Sequence, residues 1–82
     1  MNPPTHLPDN LRPLLWDCDL AQLDLRQHAT FVIERLMVYT TPAAYRWLLE
    51  AWPREQLLEV ALHSRRLGGR DRAFWTAILT AP

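Results

Sequence analysis

Seven prolines and two glycines punctuate the 82 residues of this chain. Proline fixes φ and lacks a backbone donor, so it suits the first turn of a helix and interrupts a helix interior. A chain divided in this way folds as short helices started at prolines. Pro3, Pro4 and Pro8 make residues 1–8 a flexible, extended leader, and residues 9–82 read as a single domain. Leu11-Arg12-Pro13-Leu14-Leu15-Trp16 offers one or two amphipathic turns, too few to be stable alone. The helix with the clearest period runs from about Leu25 to Tyr39, capped by Asp24. In it Leu25, Ala29, Val32, Leu36 and Tyr39 recur at three- and four-residue spacing, and Ile33 and Met37 widen the stripe. So wide an apolar sector predicts a central helix touched by several others.

Thr41 caps the next helix and Pro42 is its first residue. It extends to about Trp52, with Tyr45, Leu48, Leu49 and Trp52 on one face. Pro53 opens another, to about Leu67, with Leu57, Leu58, Ala61 and Leu62 inward and Glu55, Glu59, His63 and Arg66 outward. Gly68-Gly69 are expected to end it in the left-handed conformation that glycine adopts without steric cost. Asp71 then caps a last helix carrying Phe74, Trp75, Ile78 and Leu79. No segment alternates β-branched and polar residues. The expected fold is all-α, a single small bundle of about five short helices.

Composition places the chain among ordinary globular domains, 49% apolar and 22% charged. The single cysteine, Cys18, allows no internal disulfide and fits a reducing compartment. The N-terminal residues lack the cationic and apolar regions of a signal peptide, and no apolar run approaches the ~18 residues that span a bilayer. A cytoplasmic protein with no membrane partner is expected.

No residue pattern foreshadows catalysis. In Trp16-Asp17-Cys18-Asp19 the spacing is wrong for zinc and the oxygens too few for a hard cation, so these aspartates read as turn and capping residues beside a buried tryptophan. Ser64 and His63 are adjacent and point about 100° apart on a helix, which leaves the serine without a base; Glu59, four residues back, is the better partner for His63. Gly68-Gly69 lacks the rest of any phosphate-binding fingerprint. The expectation is a protein that is not an enzyme, with no metal and no cofactor. At least three of the four tryptophans, Trp16, Trp47, Trp52 and Trp75, are expected in the core. Trp47 is the one to watch, since it lies off its helix's apolar face beside Arg46, and both residue types are enriched at binding hot spots.

Charge is balanced overall, nine basic against nine acidic residues, yet polarised along the chain. Residues 1–24 hold Arg12 against Asp9, Asp17, Asp19 and Asp24, whereas residues 60–82 hold Arg65, Arg66, Arg70 and Arg72 against Asp71 alone. At Arg65 and Arg66 two explanations stay open: charges complementing a helix C-terminus, or part of a forked-donor patch for carboxylate or phosphate.

Several of these segments, in order, resemble a family of short, uncharacterised bacterial helical domains, a domain of unknown function. They are Trp16-Asp17-Cys18-Asp19, Leu23-Asp24, Phe31-Val32-Ile33-Glu34-Arg35, Tyr45-Arg46-Trp47-Leu48, Ser64-Arg65-Arg66-Leu67 and Phe74-Trp75, so the likeness spans about Leu15 to Pro82. Thr40-Thr41 replaces a glycine-containing turn, and Gly68-Gly69 replaces polar and basic residues, which dilutes the basic patch. Members of that family are often encoded beside nucleotidyltransferase-like toxins of the abortive-infection type, and the resemblance implies an antitoxin-like accessory role. The expected activity is therefore protein binding, with Arg65, Arg66, Arg70 and Arg72 pairing with acidic groups and Trp47 as an anchor. The alternative is DNA binding through the helices at 42–52 and 53–67 as a helix-turn-helix. Partners weighed are a neighbouring protein, a nucleic acid and a second copy of this chain.

Overall fold

The computed structural model describes residues 7–17, 19 and 23–81. Most of the leader, together with Cys18, Leu20 and Pro82, lies outside the described residues. Its last two residues belong to the fold: Leu7 packs against the core, and the Pro8 carbonyl accepts the Leu11 amide at 3.0 Å. A 3-10 helix follows at Asp9–Leu15, then α1 at Ala29–Val38, α2 at Pro42–Ala51, α3 at Arg54–His63 and α4 at Gly69–Thr80. No strand occurs among the described residues, and the fold is a small all-α bundle. No helix among them is long and apolar enough to cross a membrane.

The wide apolar sector of α1 accounts for the architecture. Val32, Ile33, Leu36 and Met37 are all buried to 1% exposure or less, and α1 packs against the 3-10 helix and all three other α-helices. Trp75 of α4 is fully buried against it, its indole N–H donating to the Met37 carbonyl at 3.2 Å. Burying one such ring removes ~150–250 Å² from water and contributes on the order of 4 kcal/mol. α3 and α4 form the most extensive helix pair, and at its far end Arg54 Nη1 donates to the Ala81 carbonyl at 3.0 Å.

Helix starts at prolines follow the expected pattern. Thr41 Oγ1 accepts the Ala44 amide at 3.1 Å, with Pro42 as the first residue of α2. Other boundaries differ. Helix α1 begins at Ala29 rather than Leu25; Asp24 does accept orphan amides, Arg26 on its carboxylate at 2.9 Å and His28 on its carbonyl at 2.8 Å, but these close a turn ahead of the helix. Helix α3 stops at His63 rather than Leu67: Ser64 is extended, with φ −71° and ψ 129°, and its hydroxyl binds elsewhere in the fold. Arg65 and Arg66 therefore stand in the α3–α4 connection, not in a last helical turn. Neither glycine is left-handed. Gly68 precedes α4 with φ −70° and ψ 169°, Gly69 opens it, and Asp71 lies in its first turn without capping it.

Burial corrects two further expectations. Leu57 and Ala61 of α3 are buried and Leu58 packs partly buried against the core, as expected; Val60 joins them, while Leu62 is 45% exposed. Trp52 and Trp75 are buried and Trp47 is half-buried against the core, whereas Trp16 is 77% exposed. Leu11 and Leu15, four residues apart, turn the 3-10 helix's apolar side inward, and the next residue is directed away.

Candidate functional site

Helix α1 carries a second stripe beside its core stripe. Phe31, Glu34, Arg35, Val38 and Tyr39 recur at three- and four-residue spacing and so share one side of the helix. Together with Trp16 and Asp17, and with Arg66 from the α3–α4 connection, they line a half-open groove of about 230 Å³.

Arg35 is the organising residue. Its Nη1 and Nη2 donate to Asp17 Oδ1 and Oδ2 at 2.6 and 2.8 Å, a bidentate fork. Nη1 also reaches the Leu14 carbonyl at 3.3 Å. The guanidinium lies over the rings of Phe31 at 5.4 Å and Tyr39 at 5.8 Å, within the range of cation–π attraction. Arg35 is thereby largely withdrawn from solvent, and the Trp16-Asp17 segment is fastened to α1. Trp16 remains outside, as does Tyr39 at 53% exposure.

The other wall is built by Ser64 and Glu34. The buried Ser64 hydroxyl donates to Glu34 Oε2 at 2.5 Å and accepts the Arg66 amide at 3.2 Å, which sets where Arg66 leaves the chain. The Arg66 guanidinium lies 5.6 Å from the centroid of Phe31. Its nearest carboxylate oxygen is Glu34 Oε2, 3.9 Å from Nε, and the side chain is 66% exposed.

The predicted binding residues are dispersed. Arg66 is in the groove. Arg65 and Arg70 are exposed and make no side-chain hydrogen bond or ion pair among the described residues. Arg72 turns inward to donate to the carbonyls of Ser64 and Leu67, so it closes the α3–α4 connection. Trp47 stacks edge-on against Trp52, centroids 5.0 Å apart at 81°, and borders a separate hollow with Pro8, Arg46 and Glu50. His63 and Glu59 lie 3.3 Å apart, as their spacing predicts. Among the described residues no group of three or more His, Cys, Asp or Glu is placed to hold a metal ion.

Sequence reasoning missed Trp16, Phe31, Arg35 and Tyr39 as site residues. The signal is present in the aromatic and arginine content of the second stripe of α1, but Tyr39 also continues the core period.

No curated protein and no solved structure matches the chain. A family profile does, over residues 10–61. The matched segment holds every groove residue except Arg66; it excludes Ser64-Arg65-Arg66-Leu67 and Phe74-Trp75, to which the resemblance noted above extended. Because the match covers more than half of the 82 residues, the chain belongs to a family of unknown function, DUF6922.

Proposed function

We propose that this protein is a non-enzymatic protein-interaction module of the bacterial cytoplasm, that its contact surface is the groove between Trp16 and α1, and that it serves a nucleotidyltransferase-like toxin as an antitoxin-like accessory. One observation carries the interaction reading: Trp16 is 77% exposed although the segment bearing it is pinned by the Arg35–Asp17 fork. An exposed tryptophan beside tyrosine and arginine has the composition of a binding hot spot, and a held position lowers the ordering cost of binding. The toxin association rests on the family resemblance.

A helix-turn-helix draws less support. The exposed residues of α3 include Glu55 and Glu59, which repel phosphates, and α3 packs chiefly on α4, whereas a recognition helix packs across the helix before it.

Co-expression with a nucleotidyltransferase-like protein encoded beside it, followed by size-exclusion chromatography, tests the proposal. A complex should form at micromolar concentration, and Trp16→Ala with Tyr39→Ala should weaken it by ~30-fold or more. Separate elution of the two proteins overturns the toxin assignment. A salt-steep shift of DNA from the same locus, with no protein complex, overturns the reading in favour of DNA.

A further inference from the structure

We infer that the groove recognises an acidic peptide segment, one in which an aspartate or glutamate lies close in sequence to a large apolar side chain. This rests on the interaction-module reading and specifies the partner's chemistry.

The two groove arginines have different duties. Arg35 already has a carboxylate, held bidentately by Asp17, and acts as wall. Arg66 makes no guanidinium hydrogen bond among the described residues, and its one neighbouring carboxylate is 3.9 Å away. That carboxylate, Glu34, is itself engaged by the Ser64 hydroxyl at 2.5 Å. The guanidinium lies over Phe31, 5.6 Å from its centroid, and with the side chain 66% exposed its N–H donors are open to an incoming carboxylate, which arginine matches better than lysine. The adjacent Arg65, exposed and unpaired among the described residues, adds to the local positive charge.

Beside this fork the lining is apolar: Trp16, Phe31, Val38 and Tyr39. The volume of about 230 Å³ falls below the ~300–1,000 Å³ of sites that enclose small-molecule ligands. It suits one or two side chains of a peptide. Asp17 and Glu34 in the walls discriminate against a nucleic acid, because a run of phosphates laid along the groove would meet both carboxylates, whereas a single carboxylate on Arg66 with an apolar neighbour has only Glu34 beside it, which the Ser64 hydroxyl already engages. Charge complementarity therefore selects an acidic, apolar segment.

The test is selection from a random peptide library of about 12 residues displayed on phage, against the full chain. Trp16→Ala and Arg66→Gln, which change exposed side chains, run in parallel after their melting curves confirm folding. Enriched peptides should carry Asp or Glu within about three residues of Leu, Ile, Phe or Trp. A synthetic copy of the best peptide should bind Arg66→Gln ~10-fold more weakly, and Trp16→Ala at least as much more weakly. Enrichment of neutral or basic peptides, unchanged affinity in Arg66→Gln, no enrichment over an uncoated surface, or tighter binding of a 20-base-pair duplex overturns the inference. Neutral peptides that bind only while Trp16 is present overturn the acidic specificity and leave the interaction module standing. Acidic peptides that bind while the toxin does not give the converse.

Discussion

Two tryptophans of this chain have opposite fates, and the difference is measurable. Trp75 is fully buried with its indole N–H satisfied. Trp75→Ala should cost ~3–5 kcal/mol, a large part of the ~5–15 kcal/mol that holds a domain together, and urea unfolding followed by circular dichroism should show little or no folded baseline. Trp16→Ala should stay within ~0.5 kcal/mol of the parent in the same measurement, since the ring stands in solvent. Asp17→Asn keeps the shape of the clasp on Arg35 but removes its charge. With Asp17 40% exposed, solvent screening limits the expected loss to about 1 kcal/mol; an unchanged midpoint would show that the fork does not hold the segment. Nothing local separates the two tryptophans in the sequence. The exposure of Trp16 depends on Leu11 and Leu15 facing inward and on a partner for Asp17 that is 18 residues away, and periodicity within one segment does not register such pairings.

Among the elements, the starts at prolines and the ends of α1 and α2 were legible, whereas the starts of α1 and α4 and the end of α3 were not. A start is written locally, as in Thr41-Pro42, where the cap and the first residue are neighbours. Thr41→Ala should therefore cost about 1 kcal/mol, seen as a lower urea midpoint, with Thr41→Asp recovering most of it. The end of α3 is set at Ser64 by a carboxylate 30 residues earlier in the chain, and no pattern around residue 64 announces it. The glycines depart from the expected C-cap for the same reason: with α3 already stopped, Gly68 and Gly69 lead into α4 in ordinary conformations. A Cβ added at Gly69 meets nothing within 4 Å. Gly69→Ala should accordingly stabilise the protein by ~0.5 kcal/mol, whereas a left-handed cap would have been destabilised by that change; the thermal midpoint decides.

For the whole molecule, the family match and the folding unit have different limits. The match ends at residue 61, yet α4 supplies the buried Trp75 and Leu79 and is the main partner of α3. A fragment of residues 10–61 should lack a cooperative melt and a dispersed amide spectrum, because so short a chain without its largest core side chain cannot offset the entropy of ordering. Fold class was readable from the spacing of prolines and apolar residues, which acts within each segment. The groove was not, since it assembles residues 16–17, 31–39 and 66, three stretches brought together only by packing. The bond from Arg54 to the Ala81 carbonyl anchors the trailing end of α4, and that helix, 12 residues long, spans ~18 Å. A dye or a sensor-chip linkage placed on the exposed Ala81 thus sits one helix length from the connection that carries Arg66, and a tethered molecule keeps that connection clear of its support.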